Sequence, residues 1–130
     1  MSDLLFVYGA LRKGASNDWR MKDARWLGAA NVPGTLVKID WYPGLVLKGE
    51  ALVKGEVYET GPELLKELDE FEGIGLEDDR NGEYHRIRSE VSLGGKPTTV
   101  WIYEWLKGIE DYEVVDSGDW LSTTESGQQA

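Results

Sequence analysis

Residues 84 to 105 read YHRIRSEVSLGGKPTTVWIYEW. Two β-prone runs, Tyr84 to Leu93 and Pro97 to Trp105, flank Gly94-Gly95, and a glycine pair between such runs marks a two-residue hairpin turn. With that turn Leu93 faces Lys96, and the register follows: Arg86 lies opposite Tyr103, Arg88 opposite Trp101 and Tyr84 opposite Trp105. Alternation puts these six on one face and Ile87, Val91, Val100 and Ile102 on the other. One face is aliphatic and the other aromatic with arginines. The hairpin therefore belongs to a sheet with a core on one side and an amphipathic neighbour on the other.

Upstream of the hairpin the period changes. Thr60-Gly61-Pro62-Glu63 has the form of a capping box with proline in the first helical turn, where its missing N–H costs nothing. Leu64, Leu65, Leu68 and Phe71 follow at helical spacing, and Gly73 is placed to cap the end. Further strands are expected at Leu4 to Tyr8, within Trp26 to Leu47, and at Val53 to Tyr58. Pro33-Gly34 and Pro43-Gly44 read as turns punctuating the middle segment. Arg12 to Asp23 reads as a loop or irregular helix, Gly75 to Gly82 as an acidic loop, and the polar residues after Leu121 as a disordered tail.

The chain has 130 residues, which suits one domain and is too short for two independent cores. Six Trp, six Tyr and two Phe supply enough apolar surface for a core, with rings to spare for lining a cavity. With 14 basic and 24 acidic side chains the net charge is −10, which speaks against nucleic acid and against anionic membrane surfaces as partners. There is no cysteine, which excludes disulfides, thiolate metal sites and cysteine nucleophiles. Met1-Ser2-Asp3 followed by a short apolar run has the form of neither a secretory leader nor a spanning helix, so a cytoplasmic location is expected. Serine-hydrolase, phosphate-loop, zinc-protease and dinucleotide motifs are absent from the sequence. The single histidine, His85, reads as a strand residue satisfied by a neighbour, and the acidic pairs Asp78-Asp79 and Glu110-Asp111 as solvated surface. No metal and no organic cofactor are expected.

Two places carry chemistry. With Leu64 at 0° and 100° per residue, Leu68 falls at about 40°, Phe71 at about −20° and Glu72 at about 80°. Glu72 thus sits within the apolar stripe, unless the last turn frays and swings it to water. Burial and the negative end of the helix dipole both raise the pKa of a carboxyl there, which suits a group that takes and returns a proton. The second place is Tyr8-Gly9-Ala10-Leu11, where a strand ends at glycine. A sharp bend there can present backbone N–H groups as a cradle for an anion, although such a bend is usually only a turn.

In order along the chain, Val7-Tyr8-Gly9-Ala10-Leu11-Arg12-Lys13-Gly14 resembles the opening Y-G-[ST]-L-[RK]-x-G signature of the gamma-glutamylcyclotransferase-like family. That family includes the gamma-glutamylamine cyclotransferases and the AIG2-like and YtfP-like proteins. Tyr42-Pro43-Gly44-Leu45, Val53 to Tyr58, and Leu68-Asp69-Glu70-Phe71-Glu72-Gly73 are similar to further family segments. So are Tyr84-His85-Arg86 with Val91, then Trp101-Ile102-Tyr103 and Ser117-Gly118-Asp119-Trp120. The likeness runs from Leu4 to Leu121.

The resemblance implies an α+β fold, a mixed sheet curled into a small partial barrel with few helices and a pocket at one end. The expected domain is 1–121, with 122–130 as its tail. It further implies that Tyr8, Gly9, Ala10 and Leu11 bind the substrate α-carboxylate, that Glu72 is the acid-base group, and that Tyr103 and Tyr84 line the pocket. The implied reaction releases 5-oxoproline and a free amine from a small γ-glutamyl compound. Alternatives are a non-catalytic module that binds or senses a small molecule in the same pocket, and a cyclotransferase acting on a carrier-bound γ-glutamyl group. Three features depart from the family pattern: Ala10 replaces a usual Ser or Thr, Asn17-Asp18 stands where many relatives have Asn-His, and the Ile74 to Glu83 loop is long.

Overall fold

The computed structural model describes residues 3–9, 11–15, 17–72 and 83–122. Five strands form a closed barrel in the order β1 (Asp3–Val7), β5 (Leu52–Thr60), β2 (Arg25–Pro33), β6 (Tyr84–Leu93) and β7 (Lys96–Trp105). Neighbours are antiparallel except where β1 meets β7 in a parallel bridge, Leu5 to Trp101, which carries the expected curl to closure in a mixed sheet. A second sheet, β4–β3–β8, comprises β3 (Thr35–Lys38), β4 (Pro43–Val46) and β8 (Glu113–Val114). One α-helix, α1 (Pro62–Phe71), and two short 3₁₀ turns, Asp18–Met21 and Trp120–Ser122, complete the described elements. Among the described residues no helix is long and apolar enough to cross a membrane.

The β6–β7 register is the expected one, with Tyr84 paired to Trp105, Arg86 to Tyr103 and Arg88 to Trp101. Gly94 and Gly95 both adopt positive φ, 59° and 85°, the backbone that a two-residue hairpin with native twist requires. The strand alternation sorts the apolar residues into two cores. Phe6, Val32, Val53, Val57, Val91, Val100 and Ile102 fill the barrel. Leu5, Val7, Tyr58, Tyr84, Tyr103 and Trp105 belong to the second core, where Leu65 and Leu68 of α1 pack against them. The aromatic face of the hairpin is therefore the seat of the helix. Its arginines stay at the margin, Arg86 and Arg88 both stacked on Trp101 at 4.2 and 4.5 Å from the ring centroid.

Two local expectations are corrected. The capping box does not form: Gly61 is the N-cap without a side-chain bond, and Thr60 is the last residue of β5. Pairing with Asp3 holds Thr60 in the barrel and its hydroxyl donates to the Asp3 carbonyl at 3.4 Å, so strand pairing outcompetes the cap. Pro62 does take the first turn. Pro43-Gly44 is not a turn but the start of β4, a position that tolerates a missing N–H. The reversal lies just before it, where the N–H groups of Ile39 and Asp40 donate to the Tyr42 carbonyl. The expected Gly73 cap, the 75–82 loop and the tail beyond Ser122 lie outside the described residues.

Candidate active site

At the end of β1 the chain leaves the barrel through Tyr8 and Gly9 and turns, the Arg12 N–H donating to the Gly9 carbonyl at 2.9 Å. Gly9 is required there: a Cβ would stand 2.5 Å from Cγ of Pro43. Arg12 anchors the far side of the bend. Its guanidinium is buried and binds Glu56 of β5 at 2.7–2.8 Å and Asp119 of the C-terminal segment at 2.7 Å, while the Lys13 N–H donates to Glu56 at 3.2 Å. A buried ion pair of this kind contributes geometry more than stability. It ties the bend after β1 to two distant segments.

The bend forms one wall of a cavity of about 200 Å³. The end of α1 supplies Phe71 and Glu72, the β3–β4 turn supplies Trp41 and Tyr42, β4 supplies Pro43, and the hairpin supplies Tyr84 and Tyr103, with Glu83 just before it. Of the expected site residues, Tyr8, Gly9, Leu11, Glu72, Tyr84 and Tyr103 all line this one cavity. Ala10 lies outside the described residues.

Glu72 does not fray. Its N–H donates to the Leu68 carbonyl at 2.9 Å and its backbone stays helical, which keeps the side chain on the apolar side. Burial raises the carboxyl from 4.5 to about 8, with the Arg20 charge opposing and the Asp69 and Glu83 charges adding to the rise. Arg20 is itself fixed, stacked between Trp19 and Phe71 at 4.3 and 4.0 Å from their ring centroids and donating to Asn17 at 3.1 Å. Asp69 is saturated. It accepts a fork from Arg86 at 2.7 and 2.9 Å and the Tyr103 hydroxyl at 2.7 Å, clamping the helix to the hairpin.

Three of the four tyrosines that line the cavity, Tyr8, Tyr84 and Tyr103, are bonded within the protein. Tyr8 donates to the Tyr103 carbonyl, Tyr84 to the Pro43 carbonyl at 2.7 Å, and Tyr103 to Asp69. Burial pushes all three phenols upward, so they remain protonated donors. Glu72, raised to about 8, is left as a cavity carboxyl whose titration falls near neutral pH. His85, by contrast, pairs with Glu104 directly across the hairpin at 2.8 Å, as a strand residue satisfied by a neighbour.

A family model described as gamma-glutamyl cyclotransferase, AIG2-like, matches residues 5–122. The chain belongs to that family. It is thereby an enzyme of the cyclotransferase class acting on a small molecule. It is 38% identical over 118 residues to the gamma-L-glutamyl-butirosin B gamma-glutamyl cyclotransferase of Niallia circulans, covering 89% of this chain and 74% of that one. It is 33% identical to the family protein YtfP of Escherichia coli, covering 90% and 95%. The structure of PH0828 from Pyrococcus horikoshii superposes with a TM-score of 0.74 at 27% identity, covering 98% of each chain.

The site of this cyclotransferase contains groups that sequence reasoning gave no role. Trp41, Tyr42 and Pro43 reach it because β4 packs beside the bend, although their motif-like run was visible. Glu83 stands next to the first hairpin residue, and only the hairpin's placement beside α1 brings it to the cavity. Arg20, which biases Glu72, had no signal of its own beyond charge, and Asp69 was visible only as part of the family-like segment around Glu72.

Proposed function

We propose that the chain converts a small γ-glutamyl amide to 5-oxoproline and a free amine, with Glu72 as proton carrier. The observation that supports this best is a carboxyl with a pKa of about 8 in a cavity that is also lined by a glycine bend of the main chain. The substrate carries its own nucleophile, so the enzyme's task is to hold the folded-back conformer and move protons. Backbone N–H groups around Gly9 and Leu11 hold the α-carboxylate, which sets the α-ammonium toward Glu72. The Glu72 carboxylate takes one proton from that ammonium. The freed amine attacks the γ-carbonyl, and a tetrahedral centre forms. Glu72 passes that proton to the amide nitrogen and the C–N bond breaks, while the ring nitrogen gives up its second proton through the same carboxylate to the departing amine, so that a neutral five-membered lactam and an ammonium leave. The phenols of Tyr8, Tyr84 and Tyr103, held protonated, shape the walls and add no competing base.

The experiment is incubation with γ-glutamyl amides and with the same amides acetylated on the α-nitrogen. Equimolar 5-oxoproline and amine from the first set only is the expected result. Product from the acetylated set, or none from either, contradicts the intramolecular reaction.

A further inference from the structure

Size decides which half of the substrate meets the outer wall. The cavity, at about 200 Å³, is smaller than the roughly 300 to 1,000 Å³ of pockets that enclose drug-sized ligands. That volume suits the glutamyl half of the substrate alone, which would leave the amine half at the mouth. Trp41 is at that mouth: it lines the cavity yet is 53% exposed, its ring edge-on to Tyr42 with centroids 5.0 Å apart. Glu83 is beside them, fixed by its main chain, whose carbonyl accepts the Leu106 N–H at 2.8 Å.

The charged side chains among the described lining residues have one sign. Among the described residues lining the cavity none is basic. Arg20, whose charge acts on Glu72, is not among the lining residues and stacks on the Trp19 and Phe71 rings. The field of Glu83 raises both Glu72 and the Tyr42 phenol, and Asp40 adds to it at Tyr42. An anionic leaving group at this mouth meets a carboxylate with no basic side chain beside it among the described lining residues. An ammonium meets that carboxylate beside the Trp41 and Tyr42 rings, whose π systems attract cations.

Resting on the cyclotransferase reading above, we infer that the mouth formed by Trp41, Tyr42 and Glu83 selects γ-glutamyl amides whose leaving group carries an additional ammonium. The test compares kcat/KM for 5-oxoproline release from the γ-glutamyl amides of diaminobutane, pentylamine and aminobutanoate, matched in length but cationic, neutral and anionic. An exposed ion pair with a cation–π contact gives the cationic substrate an advantage of about tenfold over the neutral one. The anionic substrate falls below both. The advantage shrinks as salt is added, and Glu83→Gln and Trp41→Ala each reduce the cationic-to-neutral ratio severalfold. Equal rates for all three overturn this inference and leave the cyclotransferase reading standing, as does a preference for the anion. Release from none of them overturns both.

Discussion

Burial of the Glu72 carboxyl makes stability depend on pH in a direction fixed by its titration. Below about pH 4.5 the group is protonated in the folded and the unfolded chain alike and contributes no difference. Between 4.5 and about 8 the folded chain keeps a proton that the unfolded chain has released, so rising pH favours unfolding. Above about 8 the loss is complete. The limiting slope is about 1.4 kcal/mol per pH unit, reduced by water that reaches the cavity. Glu72→Gln removes the term: its Tm is expected to exceed that of the parent by a margin that widens from pH 5 to pH 8, measured by thermal melts. A margin independent of pH contradicts a buried, raised carboxyl. Arg20 is the opposing charge, so Arg20→Gln moves the acid limb of kcat/KM to higher pH. An unmoved limb means that Arg20 does not act on Glu72.

At the scale of elements, the bend after β1 depends on a close approach that only glycine permits. Pro43 cannot yield easily, since it starts β4 and its carbonyl accepts the Tyr84 hydroxyl. Gly9→Ala is expected to cost about 1–3 kcal/mol in urea denaturation and to raise KM more than it lowers kcat, because the proposed α-carboxylate cradle shifts. A variant with parental stability and KM shows that the bend has room. The hairpin was fully legible from sequence because two glycines fix the loop length, and every cross-strand pair then follows. The Glu72 face was legible too, since helical spacing ties it to Leu65 and Leu68. Thr60 and Pro43-Gly44 were misread for one reason: their local signals, a cap and a turn, were overruled by pairing with Asp3 and with β3. Those partners are remote in sequence, and short-range patterns carry no trace of them.

At the scale of the whole molecule, the cavity exists because the barrel closes. Closure rests on one parallel bridge between Leu5 and Trp101, and it brings Tyr8, Glu72 and Tyr103 together from three separate elements. No periodicity reveals such a contact, which is why Trp41, Glu83 and the Arg12–Glu56–Asp119 cluster had no assigned role before the fold was known. Phe6, fully buried in the barrel, is the side chain that this closure packs around. Phe6→Ala is expected to cost about 3–5 kcal/mol and to lower Tm and activity together. Loss of stability with kcat/KM retained means that the cavity holds its shape without the barrel core.

One comparison tests the central claim most directly: the rate of 5-oxoproline release by the parent protein and by Glu72→Gln, on a γ-glutamyl amide at pH 8, with circular dichroism showing both folded. Loss of the proton carrier is expected to slow release by about a hundredfold or more. A Glu72→Gln protein that keeps the parental rate would place the proton transfer elsewhere.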